Sequence, residues 1–87
     1  MAFPWRIGRS SKNDLCIDDP SISRRHAEIR RDEDGYAQIV DLESLNGIYI
    51  NNEKTGSRVL REGDRIEIGD IIFHYTVTDE TAEQSGD

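Results

Sequence analysis

Turn-forming pairs recur along this chain at such short intervals that little room is left for a long helix: Asn13-Asp14, Asp19-Pro20, Asp34-Gly35, Asn46-Gly47, Asn51-Asn52, Gly56-Ser57, Gly63-Asp64 and Gly69-Asp70. Glycine supplies positive φ at such points, and Asn and Asp bond their own backbone there. Between the turns the apolar residues alternate with period two: Phe3, Trp5 and Ile7; Ala27 and Ile29; Ala37 and Ile39; Ile48 and Ile50; Ile66 and Ile68; Ile71, Phe73, Tyr75 and Val77. That period describes a strand with one face buried. Several short β-branched and aromatic strands separated by such turns predict an all-β, antiparallel β-sandwich, with its loops collected at the two ends.

A chain of 87 residues has length for one such domain, which buries only about 60% of its unfolded surface. Little volume is left for a deep substrate cavity, so function is expected on loops carried by the scaffold. Hydrophobic residues make up 34% and charged residues 33%, and no apolar run approaches the roughly 20 residues that span a bilayer. The start, Met1-Ala2-Phe3-Pro4-Trp5, has no basic stretch followed by an apolar one, which predicts no secretory signal and a cytoplasmic setting. From Thr78 the sequence TDETAEQSGD has almost nothing to bury. We expect a domain over residues 1–77 and a mobile acidic tail over 78–87, whose Thr78 and Thr81 are candidates to occupy a phosphate pocket in cis once phosphorylated. The lone Cys16, between Leu15 and Ile17, reads as a small buried apolar group.

The charge is unevenly placed. Residues 1–31 carry seven Lys/Arg against four Asp/Glu, whereas residues 32–87 carry four against fourteen. An acidic body lacks the broad basic face that nucleic-acid binding requires, but a basic N-terminal third permits a local anion site. Three segments gather arginine, hydroxyl and amide groups at turns: Gly8-Arg9-Ser10, Ser23-Arg24-Arg25-His26 and Ser44-Leu45-Asn46-Gly47. A phosphate monoester carries about −1.5 to −2 charge and three strong acceptor oxygens. Arginine meets it with a planar fork of donors and a permanent charge, while hydroxyls, amides and loop N–H groups complete the shell.

The ordered set IGRSSKNDLCIDDPSISRRHAEI, DLESLNGIYIN and LREGDRIEIGDIIFHY resembles a forkhead-associated (FHA) domain over about residues 5–77. Gly-Arg, Ser-x-x-His, Asn-Gly and Gly-Asp in this order and spacing carry the likeness jointly. The resemblance implies a β-sandwich that binds phosphothreonine peptides, with phosphate contacts from Arg9 and Ser23, Arg24 beside them, and Asn46 on the peptide backbone. It makes His26 a structural tie between the loop after Ser23 and the neighbouring turn, and places Gly8 and Gly47 where the backbone demands glycine. Ser21 falls where a family member can carry a peptide-selecting side chain, and so short a residue implies weak selection. Leu45 stands where a polar residue that reaches the phosphate is common, so its contribution passes to a backbone N–H or is lost. The family's first strand normally precedes the segment that begins near Phe3, and nothing in this sequence replaces it.

Other chemistries find little support. With His26 and His74 the only histidines, no zinc spacing exists. Asp32-Glu33-Asp34-Gly35 lacks the remaining ligands of a calcium loop and reads as a hairpin turn. Arg25, Arg30 and Arg31 read as a solvated strand face. Ser23 and His26 have no orienting acid or oxyanion hole in the pattern, so they do not make a catalytic pair. The expectation is therefore a non-enzymatic module with no cofactor, no metal, no membrane contact and no nucleic acid, whose partner, as the resemblance implies, is a phosphothreonine-bearing protein that is the substrate of a Ser/Thr kinase. The alternative is a phosphate-independent interaction or assembly domain on the same scaffold, motivated by Leu45 and the acidic body.

Overall fold

The computed structural model describes residues 3–77. The tail expected over 78–87, with Thr78 and Thr81, lies outside the described residues. Among the described residues nine strands follow one another: β1 (Trp5–Gly8), β2 (Leu15–Cys16), β3 (Ala27–Arg31), β4 (Ala37–Asp41), β5 (Ile48–Ile50), β6 (Glu53–Thr55), β7 (Ser57–Val59), β8 (Arg65–Ile68) and β9 (Ile71–His74). They form a five-stranded sheet in the order β2-β1-β3-β4-β7 and a four-stranded sheet in the order β6-β5-β8-β9. The all-β sandwich expected from the alternation is the architecture found.

One pairing departs from the antiparallel expectation. β2 runs parallel to β1, with Ile7 beside Leu15 and Gly8 beside Cys16. Parallel neighbours usually need a long crossover. A two-residue strand escapes that requirement because residues 9–14 fold back alongside β1, where the Asp14 carboxylate accepts the Arg6 N–H at 2.8 Å. This edge also corrects the expectation for Cys16, which is exposed. The half-buried neighbour Leu15 turns toward the core, and strand alternation then sends Cys16 to the other face.

Isoleucine dominates the core: Ile7, Ile22, Ile29, Ile39, Ile48, Ile50, Ile66 and Ile68 are buried with Ala27 and Leu60. In the second sheet Ile48 lies opposite Ile68 and Ile50 opposite Ile66, while Tyr49, Arg65 and Glu67 take the outer positions at intermediate exposure. Branched side chains with restricted χ1 suit that pleated surface. Each such burial contributes about 1.5–3 kcal/mol. Ile22 lies outside any strand, and its burial pins the loop between β2 and β3 to the core. Val77, by contrast, is 57% exposed, so the burial pattern of the last strand stops short of it.

The registers fix which loops meet. Ile7 pairs with Ala27, and Ala27 with Asp41, so residues 9, 26 and 42 leave the first sheet at one end. In the second sheet Ile48 pairs with Ile68, and Ile68 with Ile71, so Gly47 and the Gly69-Asp70 turn share an end. The β4–β5 connection spans the two. At the opposite end the Asp32 carboxylate accepts N–H bonds from Asp34 at 3.0 Å and Tyr36 at 2.8 Å, closing the hairpin turn expected there.

Candidate functional site

The β1–β2 and β2–β3 loops are zipped together before any ligand arrives. Arg9 N–H donates to Ser23 C=O at 3.0 Å and Ser10 N–H to Arg24 C=O at 3.2 Å. Asn13 Nδ2 adds bonds to Ser10 C=O at 2.9 Å and Arg24 C=O at 2.7 Å. This approach is close enough to require Gly8: a Cβ there would stand 2.2 Å from the Arg24 carbonyl oxygen. The constraint is proximity alone, since Gly8 is absent from the positive-φ glycines. Arg9 and Arg24 consequently line one depression with Ser10, Lys12 and Asp18.

His26 ties this pair of loops to the second sheet. It is fully buried. Ser23 N–H donates to its Nδ1 at 3.1 Å, which leaves Nδ1 an acceptor, so the proton sits on Nε2 and is donated to Gly47 C=O at 2.8 Å. The two contacts assign the tautomer. Gly47 has φ of +74°, a left-handed conformation that glycine adopts without strain. Its N–H donates to Ser44 Oγ at 2.9 Å, and Ser44 Oγ–H donates to the Asp41 carboxylate.

Ser23 and Leu45 meet through the backbone, because Leu45 N–H donates to Ser23 Oγ at 3.0 Å. The hydroxyl is thereby fixed as an acceptor on its inner side, and its own proton is left for a ligand. The Leu45 side chain is 88% exposed, so what Leu45 contributes within this loop cluster is its N–H. Asn46 Nδ2 donates to Ser21 C=O at 2.8 Å, and its Oδ1 takes no hydrogen bond among the described residues.

Ser21 does structural work at the position where the resemblance places a selecting side chain. Its hydroxyl donates to Asp19 Oδ1 at 2.5 Å and its N–H to the same oxygen at 2.9 Å, while Asp70 N–H donates to Ser21 Oγ at 2.8 Å. The hydroxyl and then the N–H of Ser21 hold the Asp19 carboxyl below the usual carboxylate range. Gly69 fits against this post, since a Cβ there would lie 2.5 Å from both Ser21 oxygens.

Arg9, Ser23, Arg24 and Asn46 thus share one end of the sandwich, with Gly8, His26 and Gly47 beneath them. Among the described residues the ion pairs are Arg6–Glu28, Arg30–Glu28, Arg58–Glu53 and Arg65–Glu67, so neither Arg9 nor Arg24 is neutralised by a carboxylate. In a chain of net charge −7 two exposed guanidinium groups that enter none of these ion pairs, with Lys12, outnumber the one carboxylate, Asp18, that lines the same depression. Sequence reading noted Asn13 and Asp19 only as turn residues and Ser44 only as part of its loop segment, and gave none of them a role at the site. Asn-Asp and Asp-x-Ser are ordinary turn signals, and what makes these residues matter is the partner each finds across the loops. Among the described residues no cluster of His, Cys, Asp and Glu is arranged to hold a metal ion, and no helix is long and apolar enough to cross a membrane.

Fold and loops define a β-sandwich that offers arginine and hydroxyl donors to an anionic ligand. The FHA domain model matches residues 5–69, and the chain belongs to that family. It is 50% identical over 79 residues to the glycogen accumulation regulator GarA of Mycolicibacterium smegmatis, covering 91% of this chain and 49% of that one. It is likewise 50% identical over 62 residues to the oxoglutarate dehydrogenase inhibitor of Corynebacterium diphtheriae, covering 71% of this chain and 43% of the relative. The chain therefore spans about half the length of these curated relatives. Among solved structures it is similar to EmbR of Mycobacterium tuberculosis in complex with a low-affinity phosphopeptide, with a TM-score of 0.82, 36% identity, and coverage of 88% of this chain and 20% of that one.

Proposed function

We propose that this chain is a phosphothreonine-recognition module, without catalytic activity of its own, that docks a protein phosphorylated by a Ser/Thr kinase in the cytoplasm. The observation that carries the reading is that Arg9 and Arg24 line one depression, with Ser23 bonded to Arg9 through the backbone beside it, and that the side-chain donors of all three take no partner among the described residues. Arg9 supplies the fork to two phosphate oxygens, Ser23 donates its hydroxyl proton to a third, and Arg24 adds charge within the depression it lines with Arg9. Asn46, anchored through Nδ2 to Ser21, offers Oδ1 to the peptide backbone. Backbone bonds between the loops pre-position the main chain, so the ordering cost of binding falls mainly on the exposed arginine side chains.

Hydrogen bonds to charged groups contribute about 1.5–3 kcal/mol each, so Arg9→Ala is expected to weaken phosphopeptide binding roughly tenfold or more. The test is an NMR titration with one degenerate peptide pool in phosphothreonine, phosphoserine and unphosphorylated forms, following the amides of Arg9, Ser23, Arg24 and Asn46. Shifts confined to these loops and driven by the phosphothreonine pool support the reading. Equal binding of the unphosphorylated pool, or unchanged affinity in a folded Arg9→Ala variant, overturns it in favour of a phosphate-independent interaction domain.

A further inference from the structure

A second basic depression adjoins the first. It is lined by Arg6, Ser10, Lys12, Asn13 and Arg25, and it shares Ser10 and Lys12 with the depression that holds Arg9 and Arg24. The shared residues place the two recesses side by side at the β1–β2 loop. Their cations differ in how far they are committed. Arg6 Nε is engaged by Glu28 Oε1 at 3.4 Å, whereas Lys12 and Arg25 are exposed and enter none of the ion pairs among the described residues. The nearby Asp14 carboxylate is turned to the Arg6 backbone N–H, and Asn13 spends its Nδ2 on the Ser10 and Arg24 carbonyls. The recess floor is therefore held rigid by the same asparagine that zips the two loops.

We infer that this recess is a second anion subsite, in which Arg25 and Lys12 receive a carboxylate or a second phosphate carried by the same partner segment that places its phosphothreonine between Arg9 and Arg24. The inference rests on the phosphothreonine reading and narrows the partner to segments with a second anionic group near the phosphorylated threonine. Two adjoining sites on one rigid surface give the second contact as an intramolecular event, so its contribution appears as added affinity without further association cost. Its exposed charges make that added affinity dependent on salt.

The test uses the full chain and a phosphothreonine peptide with alanine at the three positions on either side, compared with peptides carrying one glutamate or one phosphoserine at each of those positions. At low salt at least one flanking anion is expected to tighten binding about fivefold, the scale of one exposed charge contact. Arg25→Ala is expected to abolish that gain while leaving the affinity of the all-alanine phosphothreonine peptide unchanged, and Arg25→Glu to turn the gain into a loss. A gain with glutamate assigns the subsite to acidic sequence, and a gain with phosphoserine alone assigns it to a second phosphorylation. No gain at any position, or a gain that survives in Arg25→Ala, overturns the subsite. Failure of the all-alanine phosphothreonine peptide to bind overturns the phosphothreonine reading itself, and the subsite with it.

Discussion

The His26 tie between the two sheets carries a measurable share of this domain's stability, and His26→Phe isolates it. Phenylalanine leaves no cavity at the fully buried imidazole, its larger ring adding some overpacking, and it removes both bonds, leaving the Ser23 N–H and the Gly47 C=O without the partners they have at 3.1 Å and 2.8 Å. An unsatisfied buried group costs about 1–3 kcal/mol. Because Ser23 is half-exposed, water recovers part of its share, and the expected loss is about 2–4 kcal/mol. A domain of this length is stable by roughly 4–13 kcal/mol, so the variant should fold yet lose about 10–30 °C of melting temperature. Urea unfolding followed through the single tryptophan, Trp5, measures the change. The phosphopeptide titration of the folded variant should show weakened binding, since the Ser23 and Gly47 loops lose their common anchor. His26→Ala adds a cavity and should be worse than His26→Phe. A His26→Phe loss below about 0.5 kcal/mol would refute the reasoning, and the histidine would then be a packing residue.

Gly8→Ala should disrupt the domain's binding end, because its Cβ meets the Arg24 carbonyl oxygen at 2.2 Å and the Arg9–Ser23 zipper must open; chemical denaturation and loss of phosphopeptide binding check this together. Ser21→Ala should release Asp19, whose folded-state pKa is depressed by the Ser21 hydroxyl and N–H. A depressed carboxylate stabilises the fold above its unfolded pKa, and that stability is lost as pH falls through the folded value; the variant should therefore show an Asp19 carboxyl that titrates closer to the ordinary range by NMR and a weaker dependence of stability on acid. Leu45→Ala should leave stability within about 0.5 kcal/mol of the parent and preserve phosphopeptide affinity, since the 88% exposed side chain is not what meets Ser23; a large loss of affinity would assign the side chain itself to the peptide.

The sandwich was legible because its core strands obey one simple rule. Ile48 and Ile50, then Ile66 and Ile68, face inward in pairs across the sheet, and the alternation announces both the strands and their buried face. β6 and β7 were not legible from periodicity, since Glu53–Thr55 and Ser57–Val59 are largely exposed and exist as strands through pairing with β5 and β4. Cys16 misled for a related reason: flanked by Leu15 and Ile17 it reads as part of an apolar run, whereas the pleat of a two-residue edge strand faces Leu15 inward and turns Cys16 out. Burial of Ile22 outside any strand left no periodic signal at all.

At the loop end, residue type drew attention to the exposed arginines and to Ser23 more readily than to the supports beneath them. Arginine beside serine at a turn is a chemical statement about anions, visible before any fold is known. The bonds that make the site rigid join residues far apart in sequence: Asn46 reaches Ser21, Leu45 reaches Ser23, and Asp70 reaches the Ser21 hydroxyl. Each uses a backbone group of one loop and a small polar side chain of another, an arrangement that ordinary turn residues satisfy without any distinguishing motif. Ser21 shows the consequence. At the position where a selecting side chain was expected, its hydroxyl is both donor to Asp19 and acceptor from Asp70, so its value to binding lies in holding the carbonyl that anchors Asn46. On the proposed reading, peptide selection falls to groups not committed to the scaffold, and among the described residues Lys12 and Arg25 are cations beside the depression of Arg9 and Arg24 that enter no ion pair.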